Sequence, residues 1–141
     1  MKPWVVDTCV LIDVLEDDPE YGRASALTLR RKLREGLLVC PVTYVELAPA
    51  FNGSPALQDE FLSGVGADWR QTWTWQDTAA AHAAWTAHIT RRRTKAAPKR
   101  QIADVLVGAF ASRFAGIITR NASDFQLLFP ELAIVEPKGD S

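Results

Sequence analysis

Short apolar runs in this chain alternate with longer stretches in which apolar residues recur every three or four positions. Trp4, Val5 and Val6 form the first run, Leu37 to Cys40 the second, Gly116 to Thr119 a later one and Ala133 to Val135 the last; each reads as a buried strand. Between them the spacing predicts a short helix over residues 9–15 that Thr8 can cap, and a second over 20–35 with Gly36 as its stop. A third leads out of Pro41 and ends at Asn52, Gly53, Ser54 and Pro55, with Thr43 and Glu46 at capping-box spacing. Further helices are predicted over 55–62, 77–92 and 101–114, the last with Ile102, Val105, Leu106, Ala109 and Phe110 as one apolar stripe. Residues 71–75 alternate like a strand that puts Trp73 and Trp75 on one face, where they bury together; Trp69 and Trp85 read as core packing or a subunit contact.

Strands alternating with helices imply a three-layer α/β fold with a mainly parallel central sheet. At 141 residues the chain suits a single domain, taken as residues 1–137 with 138–141 as a loose tail. Two cysteines, Cys9 and Cys40, both flanked by apolar residues, are expected as reduced core thiols. His82 and His88 stand six apart, on different sides of a helix, so they do not form a metal-binding pair. Asp7 interrupts the apolar start, and the longest apolar segment, around Val105 to Ala111, is far too short to cross a bilayer. A cytoplasmic protein with no membrane association is the expectation. Net charge is only −1, yet residues 61–103 hold 7 basic and 2 acidic side chains. That positive middle can neutralise phosphates.

The chemistry centres on four acids where a strand or connector meets a helix: Asp7, Glu46, Asp104 and Asp124. A parallel sheet carries Asp7 and Asp124 to its C-terminal edge, where α/β proteins bind ligands. Singly, each has a plain reading: Asp7 as a helix cap, Glu46 as half of a capping box, Asp104 as a solvated first-turn acid, Asp124 as the cap of the turn at Phe125. Together they make a different case. Ionised carboxylates at ~4 Å repel by roughly 4 kcal/mol per pair at an effective dielectric near 20, so such a pocket wants cations. An all-oxygen set suits Mg²⁺ or Mn²⁺ better than Zn²⁺. Asp13, Glu16, Asp17 and Asp18 form the densest acidic run and read as solvated surface outside the site.

Four segments carry a family resemblance: residues 5–13 around Asp7, 41–47 around Glu46, 101–109 around Asp104, and 118–125 with Thr119, Arg120, Asn121 and Asp124. In this order the chain resembles a PIN-domain ribonuclease, most similar to the VapC-type toxins of prokaryotic toxin–antitoxin pairs, over nearly its full length. The resemblance implies Mg²⁺- or Mn²⁺-dependent endonucleolytic cleavage of RNA, the four acids as metal ligands, a cognate antitoxin as partner, and a homodimer. It also implies supporting hydrogen bonds around the metal from Thr8, Thr119 and Asn121. The basic residues Arg91, Arg92, Arg93, Lys95, Lys99 and Arg100 either guide RNA phosphates, pair with an acidic antitoxin tail, or form a solvated helix end. Two other classes stay open. One is a catalytically silent RNA- or partner-binding module; the other is a phosphotransfer domain with Asp7 as nucleophile, against which counts the lack of a second Asp two residues on.

Overall fold

The computed structural model describes residues 2–93 and 102–138. Five parallel strands lie in the order β3-β2-β1-β4-β5. The central strand β1 (Trp4–Val6) pairs with β2 (Leu37–Leu38) on one side and β4 (Gly116–Ile118) on the other; β3 (Ala67–Asp68) and β5 (Ile134–Val135) form the edges. The helices are α1 (Thr8–Leu15), α2 (Gly22–Lys32), α3 (Pro41–Glu46), α4 (Pro55–Val65), α5 (Trp75–Arg93), α6 (Ile102–Ala111) and α7 (Ala122–Leu128), with a 3₁₀ turn at Ala48–Phe51. This is the three-layer α/β architecture expected from the sequence, with every strand parallel.

Alternation along β1 builds the two apolar layers. Val6 faces Val10, Leu11, Leu29 and Leu62, while Val5 faces the opposite side with Val107, Phe110, Ile117 and Phe125. Burial on both faces explains why the strands read as continuous apolar runs rather than alternating ones. Among the described residues no helix is long and apolar enough to cross a membrane.

Local expectations fail where long-range or capping interactions outweigh periodicity. Residues 71–75 form no strand. Thr74 and Asp77 bond reciprocally, Thr74 N donating to Asp77 Oδ2 at 3.0 Å and Asp77 N to Thr74 Oγ1 at 3.3 Å, and this starts α5 at Trp75. The two tryptophans therefore do not bury together: Trp75 is 81% exposed, whereas Trp73 stacks on Phe110 with ring centres 6.3 Å apart. The third expected strand is instead β3, two residues directly after Gly66, which ends α4 in the left-handed conformation. Thr43 and Glu46 form no capping box, because Cys40 is the N-cap, Pro41 opens α3, and Glu46 is its last residue. Thr8 likewise lies inside α1, whose N-cap is Asp7.

Gly116 opens β4 with φ of 153°, and a Cβ there would run into the Ala133 carbonyl oxygen and the Trp4 ring. Both neighbours belong to the sheet and cannot give way cheaply. Gly116→Ala is expected to destabilise the fold by about 1–3 kcal/mol, seen as a lower urea midpoint at unchanged m-value.

Candidate active site

Strand order places a topological switch point at the centre of the sheet. From β1 the chain moves outward to β2 and β3, then returns to lay β4 on the other side of β1. The crevice beyond the C-terminal ends of β1 and β4 is where open α/β sheets bind ligands. Asp7 follows β1 directly and Thr119 follows β4 directly, so the two line this crevice. Thr119 Oγ1 donates to Asp7 Oδ2 at 2.8 Å and closes it from the β4 side.

Asp7 is 6% exposed and fully engaged. Its Oδ1 accepts from the Thr8 amide at 2.8 Å, and its Oδ2 accepts from Thr119 and from the Cys9 thiol at 3.3 Å. Those donors favour the carboxylate. Burial opposes it and prevails, holding the Asp7 pKa above the ordinary carboxylate value. Burial, reinforced by the Asp7 charge, pushes the Cys9 thiol up to about 12, so Cys9 acts here as an S–H donor. Thr8 then links two acids. Its amide holds Asp7, and its hydroxyl donates to Glu46 Oε1 at 2.8 Å while lying 3.1 Å from the hydroxyl oxygen of the buried Thr43.

Asp104 and Asp124 occupy the first turns of α6 and α7, where the helix dipole favours negative charge. Helix α7 begins just past the C-terminal end of β4, and α6 leads down to the start of β4, so both N-termini lie at the same sheet edge as Asp7. Both acids are half-buried. Asn121 enters through its main chain, the amide donating to Thr119 Oγ1 at 3.0 Å. The structure thus joins Asp7 to Glu46 through one threonine and presents Asp104 and Asp124 from neighbouring helix ends. Among the described residues no three His, Cys, Asp or Glu side chains already form a group that could hold a metal ion. The chemistry of the donor set nevertheless fits a hard divalent cation, being carboxylate and hydroxyl oxygens without imidazole.

Of the basic residues, Arg92 and Arg93 are exposed at the end of α5, and Arg91 donates to the Leu127 carbonyl at 3.4 Å. Lys95, Lys99 and Arg100 lie outside the described residues. Asp13 is not solvated surface, as its acidic neighbours suggested. It is 3% exposed and bonded by Arg120 at 2.7 and 3.0 Å and by Ser25 at 3.2 Å. Its position on α1, three after Val10 on the core-facing side, was the available signal.

The raised pKa of Asp7 carries a definite sign. A group whose folded pKa exceeds its unfolded value favours the fold when protonated, and that contribution is lost as pH rises through the folded pKa. Asp7 therefore costs stability at neutral pH. Asp7→Asn is expected to raise the melting temperature at pH 7, with the gain shrinking toward zero as pH falls to about the ordinary value of 3.8; melting curves of both proteins across pH 3.5–8 check it.

No protein-family model and no curated protein sequence matches the chain. Among solved structures it is similar to the crystal structure of VapBC2 from Rickettsia felis bound to a DNA fragment from their promoter, with a TM-score of 0.63, 13% sequence identity, and coverage of 94% of this chain and 97% of that one. At that identity the likeness concerns the fold. The five-stranded parallel sheet flanked by helices is a PIN-like fold.

Proposed function

We propose that this protein is a metal-dependent endoribonuclease, the toxin component of a type II toxin–antitoxin pair, acting in the cytoplasm and partnered by a cognate antitoxin and a second copy of itself. The observation that carries the reading is the Asp7–Thr8–Glu46 bridge at the switch point of the sheet, with Thr119 closing Asp7 from the opposite strand. A buried acid whose pKa is raised by desolvation against the pull of its donors is more typical of sites that do chemistry than of sites that only fold. The resemblance in four sequence segments and the likeness of fold to VapBC2 support the same reading.

Asp7, Glu46, Asp104 and Asp124 would hold Mg²⁺ or Mn²⁺, which when bound supplies a water of lowered pKa and neutralises charge on the phosphodiester. The chain's own residues do the rest. Thr8 fixes the relative placement of Asp7 and Glu46, and Thr119 with Cys9 keeps Asp7 Oδ2 from rotating away. The helix N-termini that carry Asp104 and Asp124 temper the gathering of negative charge. Arg92 and Arg93 at the end of α5 supply positive charge for the RNA backbone.

One observation favours a second reading, a catalytically silent module that binds RNA or a partner: no three of the candidate ligands already stand grouped among the described residues. Cleavage assays separate the two. Purified protein is expected to cut single-stranded RNA in Mg²⁺, to stop on chelation, and to regain activity with Mn²⁺. Asp7→Asn and Asp104→Asn are each expected to lower the cleavage rate by about 10²-fold or more while circular dichroism stays unchanged. RNA binding without metal-dependent cutting, or full activity in Asp104→Asn, would favour the silent module. Thr8→Val, which keeps the side-chain shape but removes the hydroxyl, is expected to lose about 10-fold in rate through the freed Glu46.

A further inference from the structure

Arg120 sits between two residues of the candidate site, Thr119 and Asn121, and its side chain bonds Asp13 on α1 rather than any of the four site acids, although its charge also acts on Asp7. Its guanidinium makes a two-toothed bond with Asp13, Nε to Oδ2 at 2.7 Å and an NH2 nitrogen to Oδ1 at 3.0 Å. The Asp13 side chain is 4% exposed, and the hydroxyl of the fully buried Ser25 on α2 donates to the same Oδ2 at 3.2 Å. The guanidinium also lies over the ring of Tyr21, 4.1 Å from its centroid, and the Arg120 main chain hydrogen-bonds with the sulfur of Cys9. Bidentate geometry fixes direction as well as distance, which a lysine cannot do. The turn between β4 and α7 is therefore clamped to α1 and α2 at the one residue that separates Thr119 from Asn121.

We infer that Arg120 is a positioning residue: held by Asp13, it fixes the β4–α7 turn so that the Thr119 hydroxyl stays on Asp7 Oδ2 and the Asn121 amide stays on Thr119. This inference rests on the nuclease reading for its activity readout, and carries a second readout that does not. A small displacement of a group that aligns reacting atoms costs rate rather than affinity. The clamp shares no hydrogen bond with the Thr8 bridge between Asp7 and Glu46.

The test compares Arg120→Gln, Arg120→Lys, Asp13→Asn and the double variant Asp13→Asn/Arg120→Gln, assayed for metal-dependent RNA cleavage below the melting temperature of each. Arg120→Gln and Asp13→Asn are each expected to lower kcat by about 10²-fold with KM nearly unchanged. The double variant should fall no further than the worse single one, because both remove the same clamp; Arg120→Lys should recover only part. Unchanged kcat, a loss confined to KM, or fully additive losses would each overturn the inference, the KM result pointing instead to direct contact between Arg120 and RNA. Should a single variant fail to fold, Asp13→Leu/Arg120→Met replaces the pair of buried acid and half-buried arginine with apolar side chains and is read in the same way. Amide hydrogen exchange works whether or not the protein cuts RNA. The Asn121 amide should exchange about tenfold faster or more in Arg120→Gln. If wild-type protein does not cleave and Asn121 exchange rises, the clamp stands and the nuclease reading fails; unchanged exchange overturns the clamp itself.

Discussion

Placing a carboxylate at the buried centre of a parallel sheet is the constraint that organises this molecule. Asp7 comes at the end of the central strand, nearly out of reach of water, and an ionised acid there is tolerated only if donors surround it. Three side-chain or main-chain donors do so, from its own helix and from the neighbouring strand end. Each donor is in turn tied to something else: Thr8 to Glu46, Thr119 to the Asn121 amide, Cys9 to the β4–α7 turn. Satisfying one acid thus draws β1, α1, α3, β4 and the entry of α7 into a single network.

Beside that network, a buried acid, Asp13, is paired with a distant, half-buried arginine. Asp13 and Arg120 are 107 positions apart, and their pairing joins the first helix to the short β4–α7 turn. Arg113, just past the end of α6, makes a comparable tie to α5, bonding both oxygens of the fully buried Asp77 at 2.6 and 2.9 Å and the Thr72 carbonyl at 2.9 Å. Neither pair is strong evidence of net stability, since desolvation offsets most of the attraction. Their directional bonds instead select one arrangement of helix ends around the sheet edge.

The order of strands and helices was legible because burial on both faces leaves continuous apolar runs, and the amphipathic helices between them keep a clear stripe. The placement of Asp7 followed from the same periodicity, whereas the segment after β4, expected as a turn at Phe125, is the seven-residue helix α7. What could not be read was anything decided by a partner far along the chain. Asp13 lies in a run of acids that looks solvated, and only Arg120, brought in by the fold, makes its burial possible. Strand β3 is two residues long, too short to show any period. The segment around Trp73 and Trp75 alternates convincingly, but Thr74 and Asp77 cap a helix there and turn Trp75 to solvent. At the site, the acids stood out as residue types at element boundaries, whereas the threonine that bridges Asp7 and Glu46 depends on a tertiary approach of α1 to α3.

The Cys9 thiol beside Asp7 has a chemical consequence of its own. With its pKa pushed up to about 12, five pH units above neutrality, the sulfur exists as thiolate in only about one molecule in 10⁵. Peroxide and electrophilic reagents attack the anion, so this sulfur is shielded from oxidative stress by its burial first and then by the carboxylate it supports. The hydrogen bond from Cys9 to Asp7 would then outlast conditions that oxidise an acidic cysteine.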